Sequence, residues 1–333
     1  MTNPNRIRTV RLMSFMGGFG FRTCPGAKFF TMGLLILTFP LYGVAQADLA
    51  IHNVRLARAD VDGDGQVEVV AGGPIGAAMA VDVPRNFRVA GVGIYRAAGP
   101  LLHPLYERSD LFAVSDVAGG DVDGDGRDEI AVVGMGHLLL LDFIDDRLVD
   151  LARVELRSDR TDRVVVIDLD ADGRSEIGVT VYFLGADSEV GRSEIVFYEW
   201  NPEGLRIKSS FSLEGHIGDM SSLPPSDMKS GIALEIGWGD ESAGIRLVDA
   251  RNGQVFWHGQ TIGDLGRILN LDALNDTLVM GGSDGRISMA KISRVGLSKP
   301  VNFRRFQSPS GFVCLPTGLM IFSDHAPAQL IGF

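Results

Sequence analysis

Several things are scarce in this chain, and each scarcity excludes a class of protein. Of 333 residues only Cys24 and Cys314 are cysteines, and aromatic residues make up 8%. Two thiols cannot build a disulfide framework, so stability must come from a packed core or from bound ions. Long apolar runs at a 3.6-residue period are nearly missing, which leaves little room for helix. The six histidines, at 52, 103, 137, 216, 258 and 325, include no i, i+4 pair and no H-E-x-x-H run, so no zinc-hydrolase signature is present. Acidic residues are absent from residues 1–47, which carry Arg6, Arg8, Arg11, Arg22 and Lys28. The rest of the chain holds 26 basic and 42 acidic residues, a formal charge of −16. Such a surface repels nucleic acid, whose binding depends on neutralising phosphates with Lys and Arg.

The acid-free segment has the order of an export signal: a basic stretch, an apolar run from Phe29 to Leu41, then Ala45-Gln46-Ala47 before Asp48. Residues 1–47 are therefore expected to be a signal peptide and residues 48–333 the mature, periplasmic or extracellular protein. The basic region is long, so a start at Met13 or Met16 is an alternative. An uncleaved membrane anchor over residues 29–45 is another, since that stretch approaches the length of a span. Removal of the signal leaves Cys314, in the apolar run Gly311-Phe312-Val313-Cys314-Leu315, as a packing residue.

What the chain has in abundance is one acidic loop, written three times. Asp60-Val61-Asp62-Gly63-Asp64-Gly65, Asp121-Val122-Asp123-Gly124-Asp125-Gly126 and Asp168-Leu169-Asp170-Ala171-Asp172-Gly173 are each followed by a glutamate at position 9: Glu68, Glu129 and Glu176. Four carboxylates within nine residues repel one another unless a hard cation sits between them. Carboxylates at positions 1, 3 and 5, a carbonyl at 7 and a glycine at 6 are how a short loop wraps calcium. The expected ligands are Asp60, Asp62, Asp64, Gln66 and Glu68; Asp121, Asp123, Asp125, Arg127 and Glu129; Asp168, Asp170, Asp172, Arg174 and Glu176. Gln66, Arg127 and Arg174 would supply main-chain carbonyls. About three structural Ca²⁺ ions are implied. A helix–loop–helix calcium hand is excluded, because its position 12 would be Ala71, Val132 and Val179 and strand follows the loop. Magnesium's strict octahedron suits an all-protein oxygen cage poorly. Ordinary solvated turns are the bland reading, and three repeats at one spacing weigh against it.

Each loop lies between an apolar strand and a second β-type run, such as Glu129-Ile130-Ala131-Val132-Val133. Strands at short spacing with Gly- and Asp-rich turns indicate an all-β chain. A repeat of about 45–60 residues with roughly four strands is the size of a propeller blade. Blades are expected to begin near residues 49, 111, 161, 212, 265 and 309. That makes a six-bladed β-propeller, with five or seven as alternatives and the acidic loops in the first three blades. The short last blade would be completed by a strand from the start of the mature chain. Near Asp219 and Asp272 the strand rhythm survives without the loop.

These loops resemble those of the FG-GAP or VCBS repeats of integrin-α-like propellers, whose plan is D-x-D/N-x-D-G-x-x-D. The match is best from Val117 to Val132. This chain departs from the plan in carrying Glu at position 9, and the resemblance covers roughly residues 49–210. Residues 245–290, including Asp249-Ala250-Arg251-Asn252-Gly253 and Trp257, look instead like quinoprotein-type propeller repeats, among them an envelope-assembly scaffold. The resemblance implies a propeller that displays loops for a ligand or partner.

Catalytic signals are weak. Gly281-Gly282-Ser283-Asp284-Gly285 fits the G-x-S-x-G pattern, yet strand follows it where a hydrolase needs a helix, so a hairpin turn is expected. Trp200, Trp238 and Trp257 could line a sugar surface, with packing the plainer reading. The functional expectation is a non-catalytic binding or adhesion module for an envelope or extracellular protein or glycan, touching membrane only if its N-terminal segment is retained. A propeller enzyme (polysaccharide lyase or phosphodiesterase) is one alternative and an assembly scaffold another. The enzyme would need basic and acidic groups clustered on the axis, for which Arg160, Arg163, Arg267 and Asp264 are the candidates.

Overall fold

A computed structural model describes residues 54–73, 90–99, 101–111, 113–156, 161–183, 191–224, 230–238, 241–259, 268–293, 295–306, 309–323 and 326–332. Among them there is no helix, and the strands form six small antiparallel sheets in a ring, a six-bladed β-propeller. Blade 1 is β1 (Arg55–Ala59), β2 (Glu68–Gly73), β3 (Ala90–Ala98) and β4 (Leu101–Leu111). Blade 2 is β5 (Asp116–Gly120), β6 (Glu129–Gly134), β7 (His137–Ile144) and β8 (Arg147–Glu155). Blade 3 is β9 (Thr161–Ile167), β10 (Glu176–Phe183), β11 (Arg192–Asn201) and β12 (Gly204–Glu214). Blade 4 is β13 (His216–Ser222), β14 (Gly231–Trp238), β15 (Glu241–Asp249) and β16 (Gln254–Gly259).

Blade 5 holds β17 (Ile268–Leu274), β18 (Thr277–Gly282), β19 (Arg286–Ser293), β20 (Gly296–Leu297) and β21 (Val301–Arg305). Blade 6 has three strands among the described residues, β22 (Pro309–Leu315), β23 (Gly318–Ser323) and β24 (Ala326–Ile331). The strand expected to complete it falls on residues outside the described ones, as does the whole of residues 1–47. Blade starts agree with the sequence spacing to within a few residues. The Gly281–Gly285 segment is a hairpin turn between β18 and β19, closed by the Gly285 N–H donating to the Gly282 carbonyl (3.0 Å).

The middle strands explain the chain's runs of apolar residues. Each is covered on both faces, so alternate side chains enter two different cores. In β6, Ile130 and Val132 pack toward blade 1, whereas Ala131 and Val133 pack toward blade 3. The same division runs round the ring, and the last core joins Val313, Leu315 and Met320 of blade 6 to Val69, Ala71 and Tyr95 of blade 1. Burying one such Leu or Ile contributes about 1.5–3 kcal/mol. Outer strands face solvent and read polar; β4 even carries Pro104, tolerable only on an edge. Cys314 is fully buried in the core between blades 5 and 6, with its thiol pKa pushed up by burial. Trp200 and Trp257 pack against inter-blade cores, in line with the packing reading.

The innermost strands β1, β5, β9, β13, β17 and β22 neighbour one another in sequence order, and β22 closes on β1. Three aspartates tie them together. Asp116 accepts the N–H of Val164 (3.1 Å), Asp219 that of Leu271 (2.6 Å) and Asp272 that of Cys314 (2.7 Å), each on the next blade. Arginines from blades 1 and 3 neutralise them: Arg163 lies 3.2 Å and Arg55 3.8 Å from Asp219, and Arg58 3.5 Å from Asp272. Removing a buried carboxylate from such a lattice orphans an N–H and takes the counter-charge from a guanidinium. Asp219→Ala should therefore lower stability by about 3–5 kcal/mol, read from urea unfolding; a loss under about 1 kcal/mol would show the lattice to be incidental.

Candidate metal centres

Each acidic loop is the connection between the first and second strands of its blade. The glutamate at position 9 opens the second strand and pairs with the residue just before the first aspartate: Ala59 with Glu68, Gly120 with Glu129, Ile167 with Glu176. The apolar residue at position 2 pins the loop down, since Val61, Val122 and Leu169 are buried in three successive inter-blade cores. Position 1 shapes the turn. Asp60, Asp121 and Asp168 accept the N–H of the position-6 glycine at 2.9, 3.0 and 3.1 Å. Positions 4 and 6 lie in the left-handed region, with Gly63 at φ 70°, Gly124 at 82° and Ala171 at 63°. Glycine is needed at the first two because the next loop's arginine lies over it. A Cβ on Gly63 would stand 2.8 Å from Arg127 Cγ, and one on Gly124 3.0 Å from Arg174. Ala171 has no fourth acidic loop after it to supply such an arginine, so its methyl is accommodated at the cost of backbone strain.

Of the expected ligands, the structure brings together positions 1, 3 and 9. One carboxylate oxygen each from Asp60, Asp62 and Glu68 lies within 4.8 Å of the other two, and the same holds for Asp121, Asp123 and Glu129 and for Asp168, Asp170 and Glu176. The position-5 aspartates are outside these groups. Asp64, Asp125 and Asp172 accept the N–H of Gln66, Arg127 and Arg174 at 2.7–2.8 Å, two residues on. That contact orders the backbone from which the position-7 carbonyl would be offered.

The glutamates are the unusual groups. All three are buried. Burial pushes the Glu129 carboxyl up to about 8, and repulsion from Asp123 and Asp142 works the same way against N–H groups of Val122 and Asp123. Burial also raises Glu68 and Glu176, opposed by Arg96 and Lys208 respectively. Four side-chain oxygens at the first two loops are buried without a hydrogen-bond partner: Asp60 Oδ1, Glu68 Oε2, Glu129 Oε1 and Asp142 Oδ1. Buried carboxylate oxygens demand a partner. An all-oxygen donor set with such vacant lone pairs fits a hard divalent cation.

Sequence reasoning missed Arg96 and Lys208, which reach these clusters from other strands, and Asp142, which stands opposite Glu129 on the next strand. It also missed the axial lattice. The axis does gather charges, around a cavity of about 200 Å³ lined by Arg55, Arg58, Asp116, Asp219 and Asp272. Of the four axial candidates, Arg163 pairs with Asp219 (3.2 Å) and donates to Gly218 O (2.6 Å); Arg160, Asp264 and Arg267 lie outside the described residues. No protein-family model and no curated protein matches the chain.

Raised carboxyl pKa values fix the sign of a pH dependence without metal. Between the ordinary value of 4.5 and about 8, folded Glu129 keeps a proton that the unfolded chain has lost. Stability therefore falls as pH rises through that window. In chelator, the urea midpoint should drop from pH 5 to pH 8, and Glu129→Gln should flatten the slope. A midpoint that rises over this range contradicts the assignment.

Proposed function

We propose that the chain is an exported, calcium-stabilised β-propeller that acts without catalysis, as a binding or adhesion module for a protein or glycan at the cell envelope. The observation that carries this reading is the threefold acidic loop, buried at position 9 and fixed to the blade cores at position 2. A cation held there braces the rim of blades 1–3. Calcium is the best match among hard ions because loop carbonyls and carboxylates form a flexible oxygen cage. The basic and apolar order of residues 1–47 supports export, and an exported protein meets calcium abundantly. The likeness of the loops to FG-GAP or VCBS repeats supports a role in display, and that of residues 245–290 to quinoprotein-type repeats keeps the assembly scaffold as a variant of it.

The enzyme alternative has one observation on its side, the charged axial cavity. Against it, Asp116, Asp219 and Asp272 each accept a main-chain N–H of the neighbouring blade, so these acids already serve to hold blades together. Turnover of polyuronates or phosphodiesters, lost in Arg58→Ala, would favour the enzyme.

Calcium at a hundredfold excess over its Kd should stabilise the stripped protein by about 2.7 kcal/mol per occupied site, which is about 4–5 °C in Tm for each in a domain of this size. Differential scanning calorimetry after thorough chelation checks this, and an unchanged Tm rejects the calcium assignment. A mature N-terminus at Asp48, together with a partner captured from envelope extract and released by chelator, is the expected companion result. Capture that persists in chelator would separate binding from the ion.

A further inference from the structure

The three loops differ in what faces the position-9 glutamate across the sheet. On the third strand of each blade the facing residue is one step beyond the Val69–Tyr95, Ile130–Leu141 and Ile177–Tyr198 pairs. It is Arg96 in blade 1, Asp142 in blade 2 and Glu199 in blade 3. In blade 1 the Arg96 guanidinium enters the cluster, with Nη2 2.7 Å from both Asp62 Oδ2 and Glu68 Oε1 and 3.3 Å from Asp64 Oδ2. In blade 3 a lysine from the outer strand does the same work: Lys208 Nζ donates to Asp170 Oδ2 (2.7 Å) and to Glu176 Oε1.

Among the described residues, blade 2 has no such cation inside its cluster. Asp142 is 4% exposed and Glu129 fully buried, and one oxygen of each lacks a hydrogen-bond partner. The second Glu129 oxygen is already used by the N–H groups of Val122 (2.7 Å) and Asp123 (3.2 Å). Arg127 is engaged with Asp125, and its Nη1 lies 3.9 Å from Asp142 Oδ1. Once both are ionised, two buried carboxylates facing each other repel strongly in a poorly solvated setting. A divalent ion between them relieves that repulsion and uses both vacant oxygens.

Resting on the calcium reading above, we propose that the second loop is the tight divalent-cation site, with Asp142 as a fourth carboxylate beside Asp121, Asp123 and Glu129, while Arg96 and Lys208 are tethered counter-ions that make the first and third loops weak sites. The two bases compete with the metal for the position-3 and position-9 oxygens. Blades 1 and 3 are thereby kept tolerable when calcium is low, and blade 2 alone answers to it.

Calorimetric titration of the chelator-stripped protein with CaCl₂ tests this. One tight ion per chain should precede weaker binding, and Asp142→Asn should weaken the tight event by at least about tenfold. Arg96→Gln and Lys208→Gln should each convert a weak event to a tighter one, leaving the first unchanged. Three equivalent ions in the unmodified protein, or a tight event indifferent to Asp142→Asn, would overturn the proposal while leaving the calcium reading intact. No calcium binding at all would overturn both. Should Asp142→Asn fail to fold, the two basic-residue variants decide alone, since unchanged stoichiometry and affinity in both would reject the counter-ion role.

Discussion

A carboxylate that opens a buried strand must be answered by something, and the rim of this propeller is organised around three such carboxylates. Glu68, Glu129 and Glu176 cannot move into solvent, because each pairs in register with the innermost strand and the next residue is committed to a core. The loop before it therefore folds back, and the aspartates at positions 1 and 3 arrive beside the glutamate within metal-ligand distance. Repulsion among these groups is the cost of that geometry. A proton, a guanidinium, an ammonium or a divalent ion can each relieve it, and the blades differ in which of these the surrounding strands provide.

Much of this was legible in the sequence, for physical reasons. Periodicity that divides residues between two cores produces runs such as Leu138-Leu139-Leu140-Leu141, and these marked the middle strands. The repeated D-x-D-G-D-G spacing marked the loops, because a loop closing a hairpin of fixed length must carry its glycines and carboxylates at fixed offsets. Positive φ at Gly65, Gly126 and Gly173 is what that spacing encoded. The blade starts followed from the same rhythm.

What was not legible depends on register and on ring closure. Nothing local says that Arg96 faces Glu68 or that Asp142 faces Glu129, since a one-residue slip would send either side chain to the other face. Lys208 is harder still, coming from the outer strand of its blade. Around Asp219 and Asp272 the sequence showed only strand rhythm without the loop. Their actual employment, accepting an N–H from the following blade, appears only once the ring closes. The position-5 aspartates also cap their own loops: Asp125 Oδ1 takes the Arg127 N–H at 2.8 Å.

The loops are also joined to one another. The Asp128 N–H donates to the Asp60 carbonyl (2.9 Å), and the Ser175 N–H to the Asp121 carbonyl (2.7 Å), while Ser230 Oγ reaches the Leu169 carbonyl (2.6 Å). Arg127 and Arg174 lie across the glycine of the preceding loop. The margin of blades 1 to 4 is thus a chain of clasps in which each fastening holds the next one's backbone. Slackening one loop frees a carbonyl and an amide in its neighbour, so a nick in a single acidic turn would spread sideways through the margin before it reached the cores beneath.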